Sequence, residues 1–396
     1  MAGDRLTVCM YCPTASGGHP LYARELLTAL ADLGRDRDVA VELVTARDLD
    51  DEHRVADYPI RDILPAKAPR RAFASTAAWA MSRLAYFPRR ERAFLDWVTS
   101  RPDLGLIHFQ DCCPPLAPAH FRRLRRRGLA LVFTVHNIRL HFYKNALHQV
   151  VRDTSMRSAW RACHALLVHT EGLRRDLAEF LGTGHPPIHV VPHGVWSVAG
   201  RVPGRTVNRR PRLLFFGAIR PNKGLHVLLR AMQDLPECDL TVAGPSEDAR
   251  YLGAARELAL RLPPGRVELI DRYVSEDEMA GLFARSDLLM LPYTSFAAQS
   301  GVLYQALAHG VPVVATDVGG LGESIRQWGI GEVVPPGDER ALAGAVGRML
   351  DPARHRAAVE AIDRARDEMT WTASARATLD VYRSLVPQGV MPAGAP

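Results

Sequence analysis

Only Lys67, Lys144 and Lys223 are lysines among the 50 cationic side chains of this chain, and the other 47 are arginines, as a GC-rich genome writes them. One of the three lysines stands in the segment Phe216-Gly-Ala-Ile-Arg220-Pro-Asn-Lys223-Gly224-Leu225. It reads as a strand that runs into a turn carrying two cations three residues apart, and then into a helix. Two cations beside a helix N-terminus suit a diphosphate, and they would stabilise the negative charge that builds as it departs. A solvated basic turn is the plainer alternative, and the scarcity of lysine weighs against it.

Other strand ends carry chemistry of the same kind. The first predicted strand ends in Pro13-Thr-Ala-Ser-Gly17-Gly18-His19-Pro20. Two glycines there let backbone N–H groups approach a phosphate, although a structural tight turn explains them equally well. His136 stands at the tip of a predicted buried strand and reads either as a ligand-facing group or as a hydrogen-bonded structural histidine. Gln299-Ser300-Gly301-Val302 opens a helix, where unpaired N–H groups and small side chains can hold a sugar or phosphate oxygen. No spacing resembles a metal site: His136, His141 and His148 lack a ligand pattern. Asp36-Arg37-Asp38 and Asp48-Leu49-Asp50 read as loop or cap residues rather than metal-binding pairs. We therefore expect neither a metal nor another cofactor. Cys9 and Cys12 lie inside a strand, where redox chemistry is not expected.

Two series of elements must position these residues. Apolar runs at 6–12, 39–45, 104–109, 129–135, 165–170 and 188–192 alternate with helical patterns such as Pro20–Leu33. A Gly/Pro/Arg-rich stretch at 197–212 lacks periodicity and reads as a linker. Six more apolar runs follow, between 212 and 335, again with helical stretches between them. Continuous Val/Leu/Ile runs argue for parallel strands covered on both faces, hence two doubly wound α/β domains. We place these at 1–196 and 213–370, with a helical segment at 371–388. Ligands of such sheets bind beyond the carboxyl ends of the strands, so a cleft between the domains is the expected site.

The 396 residues carry a formal charge of +7, and all of that excess lies in residues 1–200, with 27 cationic against 20 acidic residues. Within 61–127 the count is 14 against 5. No zinc-finger, recognition-helix or RNA-binding aromatic signature accompanies these cations, so no nucleic acid partner is expected. No apolar run is long enough to span a bilayer, the N-terminus does not read as a signal peptide, and the six cysteines form no disulfide framework. A cytoplasmic protein is expected. The stretch 61–92, with Trp79, Tyr86, Phe87 and flanking arginines, has the basic amphipathic character of an element at an anionic inner-membrane surface.

Taken together, these residues resemble the retaining, nucleotide-sugar-dependent glycosyltransferases of family 4 (GT4), with the GT-B fold. The resemblance spans essentially the whole chain. It rests on Gly217-Ala-Ile-Arg220-x-x-Lys223-Gly224, on Val191-Pro-His-Gly194-Val195 and on Ala306-Leu-Ala-His-Gly310-Val-Pro-Val-Val. Gly17-Gly18, His136 and the closing segment Trp371–Leu385 also match. The resemblance implies two Rossmann-like domains facing each other across a cleft, the C-terminal one holding the nucleotide, and a last helix that crosses back. It implies a nucleotide-sugar donor, UDP- or GDP-linked, and a hydroxyl acceptor in glycan, glycolipid or natural-product synthesis. Arg220 and Lys223 would bind the donor diphosphate, Gly17 and Gly18 the phosphate or sugar, and His136 the donor sugar. Gln299, Ser300, Gly301 and Val302 would supply donors to sugar and phosphate.

The chain departs from the family at its glutamate pair, spaced E-x7-E, where Ala297 and Gln305 stand. Gln305 keeps the capacity to hydrogen-bond a ribose, whereas Ala297 offers no polar group. Donor-sugar recognition is thus altered, moved to backbone groups, or lost. A non-catalytic nucleotide- or partner-binding member is the alternative, with a sugar-nucleotide epimerase of the same architecture behind it.

Overall fold

The computed structural model describes residues 5–15, 17–34, 39–54, 57–68, 72–138, 146–198, 205–246, 248–295 and 300–385. The chain divides into two compact units. The first consists of Met1–Ile138, Phe142–Gly194 and Trp371–Pro396, and the second is built on Val195–Thr370.

The first unit runs β1 (Leu6–Cys12), α1 (Gly18–Gly34), β2 (Val39–Ala46), β3 (Ile60–Leu64), α2 (Thr76–Thr99), β4 (Leu104–Phe109) and α3 (Ala117–Arg126). It continues through β5 (Ala130–Thr134), α4 (Ala146–Arg161), β6 (Ala165–Val168), α5 (Glu171–Leu181) and β7 (Ile188–Val190). Its seven strands lie in the order β3-β2-β1-β4-β5-β6-β7, all parallel. Every residue of β5 and β6 is buried, as expected of a sheet covered on both faces. One face packs Phe94, Phe109, Phe121, Phe133 and Trp160 into an aromatic core.

The second unit runs β8 (Arg212–Phe216), α6 (Leu225–Ala231), β9 (Asp239–Ala243), α7 (Ala249–Ala259), β10 (Val267–Ile270), α8 (Glu276–Arg285) and β11 (Leu288–Leu291). It continues through α9 (Gly301–His309), β12 (Val313–Thr316), α10 (Leu321–Trp328), β13 (Gly331–Val334), α11 (Glu339–Met349) and α12 (Pro352–Glu368). Its six parallel strands take the order β10-β9-β8-β11-β12-β13. The last helix, α13 (Trp371–Leu385), belongs to the first unit and packs along α1, with the Ser374 hydroxyl bonded to the Pro192 carbonyl.

Each sheet therefore reverses its strand order once, between β1 and β4 in the first unit and between β8 and β11 in the second. Chains leave the two flanking strands in opposite directions there. That opens a crevice at the carboxyl ends, the standard ligand position of an open α/β sheet.

The structure divides the 61–92 stretch, read as one basic amphipathic element, into β3, a connection carrying Lys67, and α2. Pro88 lies inside α2 and several arginines interrupt its apolar spacing, which blurs the helical period in the sequence. Among the described residues, no helix is long and apolar enough to cross a membrane.

Candidate active site

The switch point of the second unit is built by the turn after β8 and the residue that follows β11. Arg220 adopts an extended conformation (φ −134°, ψ 153°) just before a 3-10 turn, Pro221–Lys223, and its carbonyl accepts from the Lys223 N–H at 3.0 Å. Gly224 closes the turn at φ +70°, and a Cβ there would lie 1.8 Å from the Pro292 carbonyl oxygen. Only glycine lets the turn approach β11 this closely. The approach fixes Lys223: its Nζ donates to the Tyr293 hydroxyl at 2.7 Å and lies 4.3 Å from that ring's centroid. The Tyr293 hydroxyl in turn meets Ser300 Oγ at 3.0 Å. Tyr293 is fully buried, and its carbonyl accepts from the Thr316 hydroxyl on β12.

Ser300 precedes α9, but its hydroxyl is engaged with Tyr293 and makes no cap bond to the helix. The N–H groups of Gly301 and Val302 consequently have no intrahelical partner. The Val302 side chain approaches Gly217, at the end of β8: a Cβ on that glycine would lie 3.3 Å from Val302 Cγ2. Arg220, Lys223, Ser300, Gly301 and Val302 are thus gathered at one switch point. Four residues on from Gly301, Gln305 keeps a buried Oε1 with no hydrogen-bond partner. Gln299 and Ala297 lie outside the described residues.

The first unit's switch point holds a chain of histidines. Gly17 (φ +85°) and Gly18 lead into α1, both exposed, and a Cβ on either would meet nothing within 4 Å. His19 follows and stacks on His136 at 4.6 Å between centroids, so the glycine turn and the tip of β5 adjoin. The carbonyl of the Gln110 amide, after β4, accepts from His136 Nε2 at 2.8 Å. The amide nitrogen of Gln110 faces His108 Nε2 at 3.3 Å, and the Thr134 hydroxyl faces the same atom at 2.7 Å. His108 Nδ1 then donates to the Tyr382 hydroxyl of α13 at 2.6 Å. Because a carbonyl oxygen only accepts, Nε2 of His136 carries its proton, and neutral His136 keeps its lone pair on Nδ1.

Burial keeps these rings neutral. His108 is pushed down to about 3 by burial and then by the charge of His169. His169 is lowered to about 4 by burial, against the opposing pull of its bond to the Val191 carbonyl. Burial holds His136 well below the ordinary value, helped by His19, His169, His193 and His108; His193 is lowered for the same first reason. Tyr22 and Trp371 complete the cluster, with Trp371 5.2 Å from His193 and edge-on to Tyr22.

The sequence reading missed Tyr293, Gln110, His108, Thr134 and Tyr382. The first two are polar residues one or two positions beyond buried strands β11 and β4, the one signal in the sequence that marks them. The remaining three become visible only through the sheet order and the return of α13. Of the acidic pairs, Asp36-Arg37-Asp38 lies outside the described residues. Asp48 accepts from the Lys67 N–H at 3.1 Å, and exposed Asp50 and Glu52 adjoin the buried His53. Cys9 and Cys12 are buried within β1, and burial pushes the Cys12 thiol up to about 12.

Comparison with known proteins gives the family. The model for glycosyltransferase family 4 matches residues 16–196, and that for glycosyl transferases group 1 matches residues 210–352. The chain belongs to the GT4-like glycosyltransferases of GT-B fold. Among its relatives, glycogen synthase from Mycobacterium tuberculosis is 28% identical over 305 residues, 72% of this chain and 67% of that protein. A D-inositol 3-phosphate glycosyltransferase from Acidothermus cellulolyticus is 25% identical over 411 residues, 93% of this chain and 86% of that protein. Sucrose-phosphate synthase from Thermosynechococcus elongatus shares the fold with a TM-score of 0.75 and 21% identity, over 96% of this chain and 99% of that one. The glycosyltransferase thus carries one switch-point cluster in each of its two units.

Proposed function

We propose that this glycosyltransferase moves a hexosyl-type sugar, with retention, from a UDP- or GDP-linked donor to an acceptor hydroxyl, without a metal ion. The observation that carries the reading is the Lys223–Tyr293–Ser300 chain at the β8/β11 switch point. It holds an ammonium group and two helix N–H groups where a diphosphate would lie.

In this reading Arg220 and Lys223 bind the diphosphate and stabilise its charge as the bond to the sugar breaks. Two fixed cations supply what a bound metal would otherwise supply, which supports a metal-independent reaction. The N–H groups of Gly301 and Val302, with Gln299 and Ser300, hold phosphate or sugar oxygens. The unpartnered Oε1 of Gln305 supports a bond to a ribose hydroxyl, the role of the family's second glutamate. Gly17, Gly18 and His136 contact the phosphate or the transferred sugar, with Gln110 holding the histidine ring. Catalysis is then positioning plus electrostatics, with no covalent protein intermediate. For the acceptor, the name of the D-inositol 3-phosphate relative supports a phosphorylated hydroxyl compound. Exposed Met81 and Leu84 on α2, beside its arginines, support peripheral contact with an anionic membrane.

Thermal stabilisation by UDP, GDP and dTDP and their sugars, followed by release of the nucleoside diphosphate with an acceptor panel, tests this reading. Stabilisation by one nucleotide together with turnover is expected. Stabilisation without turnover across the panel would favour the non-catalytic reading that the missing glutamate pair raises.

A further inference from the structure

His108 lies within β4, fully buried, and is neutral because burial pushes it down to about 3. A neutral imidazole carries one ring proton, so one nitrogen donates and the other accepts. The neighbours of the ring decide which. Nε2 meets the Gln110 amide nitrogen at 3.3 Å and the Thr134 hydroxyl at 2.7 Å. An amide nitrogen only donates, so Nε2 accepts and the proton sits on Nδ1, which donates to the Tyr382 hydroxyl at 2.6 Å. The same amide turns its oxygen to His136 Nε2 at 2.8 Å. The direction of one hydrogen bond at α13 is thereby carried through His108 and Gln110 to the tip of β5.

His108, Gln110, Thr134 and Tyr382 are at most 1% exposed, whereas His136 is half-buried and is the member of the chain that can meet a ligand. Groups shut off from water must satisfy one another, so a change at one end propagates. If Nδ1 of His108 lost its acceptor, the proton would move to Nε2. That N–H would face the Gln110 amide nitrogen, and the amide would rotate to offer its oxygen instead. The rotated amide presents its N–H to His136 Nε2, and the His136 proton moves to Nδ1. The Tyr382 hydroxyl thus decides whether His136 Nδ1 bears a lone pair or a proton.

We propose that Tyr382 and His108 are positioning residues for sugar transfer: through the Gln110 amide they hold His136 with its Nδ1 lone pair available to a hydroxyl of the donor sugar. The link to transfer rests on the glycosyltransferase reading of His136; the direction of the hydrogen-bond chain does not. Because Tyr382 comes from α13, the return of that helix to the first unit supplies the group that orients the histidine.

The test uses the full chain, labelled on the ring nitrogens of histidine, and steady-state transfer kinetics. Nitrogen chemical shifts distinguish N–H from lone-pair nitrogens, and His108→Gln and His136→Gln assign the two rings by loss of signal. In the wild type, Nδ1 of His108 and Nε2 of His136 should carry the protons. The opposite pair of tautomers would overturn the proposal without any further variant. Tyr382→Phe keeps the ring packing and removes only the acceptor. His136 should switch to Nδ1–H, and kcat should fall by about tenfold, the worth of one hydrogen bond at the reacting sugar, with little change in donor KM. Thr134→Val also removes a buried hydrogen bond from His108, but it takes away an acceptor that a proton on Nε2 would need. It should therefore keep both the His136 tautomer and kcat near the wild type. A merely structural role would lower the stability of both variants and switch the tautomer in neither. In a folded Tyr382→Phe variant, an unswitched His136 or an unchanged kcat would refute the proposal, and so would equal falls in kcat in the two variants. If the wild type transfers no sugar while Tyr382→Phe still switches His136, the catalytic reading fails and the hydrogen-bond chain stands.

Discussion

Acidification should unfold the first unit before it reaches the intrinsic range of the carboxylates. The unfolded chain takes up protons on its histidines from about pH 6.5 downwards. Folded His108 and His169 do so only near about 3 and about 4. Their folded values are depressed, so the unfolded state binds more protons across this window and stability is lost as pH falls. The loss is about 1.4 kcal/mol per pH unit for each ring well below pH 6.5, or about 2 kcal/mol per ring at pH 5. The two rings together remove about 4 kcal/mol at that pH, a large part of a domain stability of about 5–15 kcal/mol. His136 and His193, also lowered by burial, add in the same direction. Hydrogen exchange of peptides covering β4 and β5, compared between neutral and mildly acidic buffer, reads the first unit separately from the second. Protection should fall steeply over that window, and less so in His108→Gln, which lacks one of the titrating rings. Equal protection at both pH values in the wild type would refute the argument that these rings are held neutral in the fold.

Four further outcomes follow from the same geometry. Gly224→Ala should destabilise the second unit by at least about 3 kcal/mol, combining left-handed strain with collision against the Pro292 carbonyl, measured by urea unfolding. Tyr293→Phe removes the acceptor of Lys223 and the partner of Ser300, and should lower nucleotide affinity by about tenfold while the unit stays folded. Gln110→Ala frees the His136 tautomer. Its kcat should fall with little change in KM for the donor, and Gln110→Glu should shift the acidic limb of the pH–rate profile upward, because a carboxylate beside the ring favours its protonation. Transfer should survive a chelator without added metal, and rescue by Mn²⁺ after loss would show that the two cations do not suffice.

The fold was legible because parallel strands buried on both faces leave continuous apolar runs, and all but one of the strands stand out in this way. β3 escaped, since Ile60–Leu64 reads Ile-Arg-Asp-Ile-Leu, an edge strand with two exposed charged residues at its centre. α12 stands out less for a related reason: it is rich in Arg, Asp and Glu, and its apolar positions are mostly Ala. Of the candidate site, Arg220, Lys223 and the start of α9 could be read locally because each stands at a strand end or helix start. Their mutual arrangement could not, because it depends on strand order: β8 and β11 are neighbours in the sheet but lie some 70 residues apart in sequence, as the Lys223–Tyr293 bond shows. The same holds for His108 and Tyr382, joined across 274 residues by the return of α13.

The central claim is that Lys223 stabilises the departing diphosphate of a nucleotide sugar. The measurement that tests it most directly is kcat/KM for release of the nucleoside diphosphate by the wild type and by Lys223→Ala, with the donor identified by thermal stabilisation. A charge-assisted contact at a developing anion contributes about 1.5–3 kcal/mol, so the variant should lose at least about tenfold. An unchanged kcat/KM in a folded Lys223→Ala variant would contradict the account and remove Lys223 from the site.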